Sequence, residues 1–230
     1  MMKLTKLEID HLYQFTRQHY VLHYDLQTEL VDHMANAIET IWETQPDLSF
    51  EKARDQSFKT FGVFGFMDVV EKRQKAMSKR YMKILWSFVK TWFTLPKLIK
   101  TIAIVLSLYL LFDLHVGKYM TVSLFSILLI WMIFKAKKFQ KYMTKKENSK
   151  QKLWLLEDII FRNASANAFV FVSCFINVFN SINTFWNYNY SALIAAVLFT
   201  FFAIYSYVSL VVLPQNAQKL LKTIYPEYSL

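Results

Sequence analysis

The chain has 230 residues, enough for one large domain or two small ones, and it is 54% hydrophobic with only 3 Gly and 4 Pro. So few helix breakers in so apolar a sequence favour an all-α protein. The formal net charge is +10, and the single cysteine, Cys174, excludes an intrachain disulfide and lies in an apolar segment where a neutral thiol acts as a small hydrophobe.

Residues 1–70 predict a small helical domain that faces the cytoplasm. Thr5 can cap a first helix, and Asp25 can cap a second helix whose apolar residues recur at three- and four-residue intervals. Pro46 ends the second helix because its ring clashes with a continuing helix. Ser49 is then expected to cap a third helix.

Residues 71–97 predict a basic linker that becomes an amphipathic helix. Basic residues lie on its polar side and Trp and Phe on the other, which suits a helix lying in the headgroup region of a bilayer. Packing on other parts of the same protein is the alternative. The residues expected at the lipid surface are Lys72, Arg73, Lys75, Lys79, Arg80, Lys83, Lys90, Trp86 and Trp92.

Four apolar stretches follow, and we predict that each crosses a membrane as a helix. A helix rises about 1.5 Å per residue, so roughly 17–25 apolar residues cover the hydrocarbon core. The second stretch, with 16 residues, is short and needs flanking residues or thinner lipid. Four successive buried helices of a water-soluble protein would leave too little polar surface to cover them. The stretches are 98–116, 119–134, 166–186 and 191–213, paired as a first hairpin over 98–134 and a second over 166–213.

The segments outside the hairpins are a basic loop and a short tail. The loop, residues 135–165, begins with a run of lysines, and its apolar residues 153–156 and 159–161 could form a second surface-lying helix. Pro96 precedes the first crossing at a position that tolerates a missing N–H. Residues 214–230 form the tail.

The third crossing carries small and polar residues on one helix face. Buried amides need partners in lipid, so we predict that this face packs on a comparable small-residue face of the fourth crossing. A polar path for a solute is the alternative, although no ionisable residue lies deep in a crossing, as coupled transport usually requires. The first face comprises Asn163, Asn167, Val170, Cys174, Asn177, Ser181 and Thr184; the second comprises Ala192, Ala196, Ala203 and Ser206.

Charge asymmetry predicts the topology. Residues 1–70 hold 6 Lys/Arg and 11 Asp/Glu, a net charge of −5, whereas 71–100 have a net charge of +8 and 135–162 a net charge of +6. The two turns within the hairpins hold one lysine between them. Because Lys and Arg accumulate on the cytoplasmic side, we expect both termini and the basic loop inside a bacterial cell, in a multi-pass inner-membrane protein.

The same charges predict the partners. Anionic lipid headgroups would meet the basic segments, each Lys or Arg contributing about 1 kcal/mol near such a surface. Nucleic acid is disfavoured because the N-terminal domain is net negative and phosphates would repel it. A protein partner or a second copy could bind residues 1–70.

No motif predicts catalysis, a cofactor or a metal. A Gly-rich phosphate loop, a Gly-flanked nucleophile and a carboxylate pair in an apolar pocket are all missing from the sequence. His19 and His23 could share a helix face, but a zinc site needs further ligands and no cysteine is near. Glu29 and Asp32 with His33 are more simply the exposed side of the second helix.

A set of short motifs resembles the helical domain called HAAS. The chain carries Glu29-Leu30-Val31-Asp32-His33-Met34, then Pro46-Asp47-Leu48-Ser49-Phe50-Glu51-Lys52-Ala53, then Phe61-Gly62. The resemblance covers roughly residues 5–65 and implies an N-terminal domain that precedes membrane helices in bacterial proteins, often beside PadR-type repressors. It implies a part in regulation and supplies no catalytic residue. The motif residues are Glu29, Asp32, His33, Ser49, Ala53 and Gly62.

Three functions are compatible with this organisation. The preferred one is a non-enzymatic inner-membrane protein that tethers a regulatory or interaction domain. The second is a small transporter or channel subunit whose third crossing lines a path. The third, a membrane-embedded enzyme acting on lipid, would need His and acidic residues at the cytoplasmic ends of the crossings, where only Glu157 and Asp158 qualify.

Overall fold

The computed structural model describes residues 3–149, 151–225 and 228, apart from the side chains of residues 165, 169 and 178. Within this part of the chain, the regular structure is entirely helical. The α-helices are α1 Lys6–Gln18, α2 Tyr24–Thr44, α3 Phe50–Lys59, α4 Met67–Lys90, α5 Leu95–Phe112, α6 Gly117–Asn148, α7 Leu155–Trp186, α8 Ser191–Tyr207 and α9 Leu213–Ile224. A 3₁₀ turn, Thr91–Phe93, follows α4, and a π-helical segment, Val208–Val212, joins α8 to α9.

The described residues form two compact units. Unit 1 consists of the described residues between 1 and 79 together with residues 151–156. Unit 2 consists of residues 80–149 together with the described residues from 157 onwards. The domain boundary predicted near residue 70 therefore omitted a second piece of chain. That piece, residues 151–156, is called the connector below.

Local capping sets the helices of unit 1. Thr5 and Glu8 form a reciprocal capping box at the start of α1, which confirms the predicted cap. The Asp25 prediction was wrong, because α2 begins at Tyr24 and its N-cap is His23. Ser49 occupies the N-cap position of α3, although its side chain makes no capping hydrogen bond.

The core of unit 1 lies between α1, α2 and α3. Leu12, Leu30, Met34 and Ile38 are buried on the faces that these helices turn towards each other. Trp42, near the end of α2, donates its indole N–H to the Leu48 carbonyl oxygen at 2.9 Å, which ties down the proline-containing turn. At the other end, an aromatic cluster comprises Phe15, His19, Phe58, Phe61 and Phe66.

Unit 2 is organised around α8. The buried side chain of Phe112 on α5 packs against Ala192, Ala195 and Ala196 of α8. Small residues let the two helix backbones approach closely, so a large ring on one helix fits against alanines on the other. Gly117 opens α6 where an added Cβ would lie 1.7 Å from the Phe112 carbonyl oxygen, so only glycine fits there.

Four helical stretches are long and apolar enough to cross a membrane: Leu95–Phe112, Gly117–Asn148, Leu155–Asn177 and Ser191–Ile224. The observed bounds of these helical stretches differ from the bounds of the four apolar stretches predicted from the sequence. The helix of the short second stretch extends to Asn148, well past its apolar part. Residues 155–161, expected to belong to a separate surface helix, are the first turns of α7.

The fourth stretch continues past its predicted end through Pro214. A proline inside a helix removes one N–H donor, and its ring clashes with the carbonyl one turn earlier. The π-helical segment Val208–Val212 widens the turn directly before Pro214, which then occupies the first turn of α9. The helix is thereby extended as far as Ile224.

Candidate functional site

The connector is hydrogen-bonded to the first turn of α2, within unit 1. The Tyr24 N–H donates to the Leu153 carbonyl oxygen at 2.7 Å. The Leu155 N–H donates to Asp25 Oδ1 at 3.0 Å. Both N–H groups belong to the first turn of a helix, where no intrahelical acceptor exists. Each helix start therefore finds its acceptor in the other segment.

Side-chain packing makes the connector part of unit 1. The Trp154 side chain is only 4% exposed, and its ring meets the Tyr24 ring edge-on with centroids 5.3 Å apart. Lys152 places its Nζ 4.1 Å from the centroid of the Tyr24 ring, a cation–π contact. Leu155 and Leu156 are fully buried. The connector is thus docked, not solvated as a basic loop would be.

The sequence contained one signal for this docking. Residues 153–156 form an apolar run inside a basic segment, a pattern that also fits a helix lying on the membrane surface. Its partner, the first turn of α2, lies about 130 residues earlier in the chain, as the separation of Leu155 and Asp25 shows. Nothing in the local sequence pairs the two.

A buried ion pair lies directly after the connector, within unit 2. Lys146 Nζ lies 2.5 Å from Glu157 Oε2, and the two side chains are 12% and 3% exposed. Tyr142 donates its hydroxyl to Glu157 Oε1 at 3.2 Å. Asp158, also buried, is held by Arg162 at 3.1 Å. Both acidic groups considered for a lipid-acting enzyme are therefore engaged by cations, an arrangement typical of structural charge pairs.

The predicted lipid-surface residues are distributed over α4 and the turn that follows. All seven basic side chains are exposed: Lys72, Arg73, Lys75, Lys79, Arg80, Lys83 and Lys90. Within unit 1, Arg73 forms an ion pair with Glu29 of the family motif. Lys75 lies 2.6 Å from Glu71, and this hydrogen bond raises the pKa of Lys75 and lowers that of Glu71.

The part of α4 in unit 2 has one buried side and one exposed side. Tyr81, Leu85 and Val89 are buried, whereas the basic residues Arg80, Lys83 and Lys90 are exposed. Trp86 is partly exposed beside Phe201, with ring centroids 6.3 Å apart. In the 3₁₀ turn, the Trp92 ring meets Tyr207 edge-on at 5.9 Å and faces the Lys97 ammonium at 5.5 Å. Packing on the protein therefore accounts for the side of α4 that carries Tyr81, Leu85 and Val89.

The polar face of α7 contacts the fourth apolar stretch only in part, through the π-helical segment that follows α8. Asn167 donates to Ser209 Oγ at 3.0 Å, as an interhelical amide should. Asn177 instead donates to the Ser173 carbonyl oxygen of its own helix at 2.7 Å. Cys174, Asn177 and Ser181 are exposed. They line an apolar cavity of about 300 Å³ together with phenylalanines of α6, α7 and α8.

The small-residue face of α8 meets two helices. Ala192 and Ala196 lie in a buried cluster with Phe112 of α5, and Phe185 and Trp186 of α7 pack against the same cluster. Ala203, further along α8, is only half-buried.

The family-motif residues occupy ordinary structural positions in unit 1. Asp32 and His33 are exposed on α2, and Ala53 is buried on α3. Gly62 adopts a left-handed φ of +80°.

Two histidines flank the α1–α2 turn: His19 caps the end of α1 and His23 the start of α2. Over the described residues, no group of three or more His, Cys, Asp or Glu side chains is placed to hold a metal.

The comparisons with known proteins add no relative. No family model, curated protein or solved structure matches this chain.

Proposed function

We propose that this chain is a non-enzymatic, multi-pass protein of the bacterial inner membrane that tethers a helical regulatory domain at the cytoplasmic face. Unit 1 is that domain, and the four apolar helical stretches are its anchor. Both termini and the connector would lie in the cytoplasm, where the basic segments belong. The resemblance to the HAAS domain supports a regulatory part, and the net negative charge of residues 1–70 disfavours nucleic acid as a partner.

The observation that most directly supports this proposal is the docking of the connector within unit 1. The chain leaves unit 1 through α4, and the connector, which includes the first two residues of α7, belongs to unit 1 again. Two separate pieces of the chain therefore attach the domain to apolar helices. A change at the first turn of α2 acts directly on the backbone that starts α7, because Asp25 accepts the Leu155 N–H. A passive anchor would need only one attachment.

A partner or a second copy is expected to bind the exposed side of α2. We expect a photo-crosslinking amino acid at Asp32 or His33, both exposed, to give a covalent adduct in cells. The same amino acid at the exposed Tyr188, in the turn before α8, is the control and should give none. Mass spectrometry of the adduct distinguishes a second copy from another protein. The absence of adducts from all exposed positions of residues 1–70 would contradict an interaction function.

A small transporter or channel subunit is the second candidate. The exposed Asn177 and Ser181 at the α7 cavity favour it. If this face conducts, Asn177→Leu with Asn180→Leu should abolish solute flux in reconstituted vesicles, while Asn187→Leu in the following turn should not. The tethering function predicts no flux from any of these proteins, since most of the cavity lining is apolar.

A further inference from the structure

Two turns at one end of unit 1 expose large apolar side chains. Val63 is 97% exposed and Phe64 70% exposed, and three further side chains beside them are also open to solvent. Of the six exposed large hydrophobic residues among the described residues of unit 1, four lie in these two turns and a fifth, Met67, directly follows the second turn as the first residue of α4. The five are Tyr20, Leu22, Val63, Phe64 and Met67, and we call this surface the apolar end.

The aromatic cluster brings the two turns together. His19, which precedes Tyr20, places its ring 4.6 Å from Phe58 and 5.8 Å from Phe66. Phe66 is buried and meets Phe58 and Phe61, each with ring centroids 4.9 Å apart. Because both turns rest on the same rings, their exposed side chains belong to one continuous surface.

The turn between α3 and α4 holds its apolar tip outwards. Gly62 and Gly65 have φ values of +80° and +53°, and the Gly65 N–H donates to the Gly62 carbonyl oxygen at 3.2 Å. An added Cβ at Gly65 would lie 2.8 Å from the Phe58 ring. Glycine alone fits this turn, which buries Phe66 and leaves Val63 and Phe64 in solvent. A tip held in this way does not collapse onto the core.

The exposed charged side chains next to the apolar end are two basic residues, Arg17 and Lys59, and one acidic residue, Asp68, which follows Met67. Helices α1 and α3 both end here, with the basic residues Arg17 and Lys59 in their last turns and the acidic residues Glu8 and Glu51 in their first turns. Arg17 and Lys59 are exposed. Apolar side chains flanked by exposed basic residues match an anionic bilayer surface, where the chains enter the headgroup boundary and the cations meet phosphates.

We propose that the apolar end inserts into the headgroup region of the anionic bilayer that the apolar helices of this chain cross. Val63 and Phe64 enter deepest, and Arg17 and Lys59 contact anionic headgroups. The inference rests on the proposed membrane anchor, which keeps a bilayer permanently within reach of unit 1. Large exposed apolar patches mark interaction surfaces, and the basic flanks favour lipid over a basic or neutral protein surface.

A fluorescent probe at position 63 tests the insertion. We would attach the polarity-sensitive dye NBD through Val63→Cys in a Cys174→Ala background, using full-length protein in nanodiscs with phosphatidylglycerol. The matched control is Asp47→Cys in the α2–α3 turn. That turn lies at the opposite end of unit 1, because the Leu4 N–H beside the start of α1 donates to Glu39 near the end of α2.

We expect blue-shifted emission at position 63 and quenching by doxyl-labelled lipid at least about twofold stronger than at position 47. Arg17→Glu with Lys59→Glu, or nanodiscs of phosphatidylcholine alone, should weaken the effect. Equal, water-like emission at both positions would overturn the inference. A second result would also overturn the inference: a blue shift that persists in detergent, under conditions where chemical crosslinking joins two copies of the chain. The apolar end would then be covered by a second chain and not by lipid.

The outcomes separate this inference from the proposed anchor. If the protein enters nanodiscs and only the probe at position 63 stays in water, the insertion is wrong and the anchor stands. If the purified chain stays dispersed without detergent, the anchor itself is wrong. Circular dichroism of each labelled variant checks that the helices are intact.

Discussion

Trp154→Ala is expected to release the connector from α2 and to speed amide exchange of the Tyr24 and Leu155 N–H groups by about two to three orders of magnitude. Truncating a buried tryptophan typically costs about 3–5 kcal/mol, because packing is lost and a cavity remains. The Trp154 ring is 4% exposed and covers Tyr24, so little water reaches the two hydrogen bonds while it is present. Hydrogen–deuterium exchange of the full chain in nanodiscs measures the effect.

Lys152→Ala is the matched control within the same connector. Lys152 is exposed and contributes one cation–π contact to Tyr24, so its loss should cost only about 0.5–1 kcal/mol. Exchange at Tyr24 and Leu155 should then rise less than about tenfold. Exchange in Trp154→Ala no faster than in Lys152→Ala would show that the connector does not hold the domain.

Lys146→Met is expected to destabilise the chain by about 3–5 kcal/mol, because it leaves the Glu157 carboxylate buried without its cation. Glu157 is 3% exposed, and the neutral Tyr142 hydroxyl that hydrogen-bonds it does not replace the lost positive charge. SDS-induced unfolding of the full chain in mixed micelles measures the change. The double variant Lys146→Met with Glu157→Leu should recover most of the loss, since no buried charge then remains.

Lys75→Met provides the comparison for an exposed pair. Lys75 and Glu71 lie 2.6 Å apart, but more than half of each side chain is exposed. Water and salt screen such a pair, so the substitution should leave the stability of the chain almost unchanged. If Lys146→Met is no more destabilising than Lys75→Met, the buried pair does not fix the start of α7.

The two predictions concern residues on either side of one unit boundary. Trp154 belongs to unit 1 and Glu157 to unit 2, three residues further along the chain. The start of α7 is therefore held by packing in one unit and by an ion pair in the other.

The sequence by itself determined the features that depend on neighbouring residues. The capping box at Thr5, the end of α2 before Pro46 and the proline in the first turn of α5 follow from local backbone chemistry. The four apolar helices follow from composition over about 20 residues, since each is long and apolar enough by itself. These interactions span at most one stretch of helix, so a pattern in the sequence is sufficient to predict them.

Only the tertiary structure decided which surfaces meet. Asp25 reads as a helix cap, but its carboxylate binds the Leu155 N–H from 130 positions away. Ala192 and Ala196 predict a packing face for α7, and their buried cluster also contains Phe112 of α5, which the sequence pattern did not indicate. A buried side chain requires a packing or hydrogen-bonding partner, but the local sequence does not distinguish between several partners that would be equally suitable. Which one it receives is determined by the packing of the whole chain, because burial and hydrogen bonding must be satisfied at every position together.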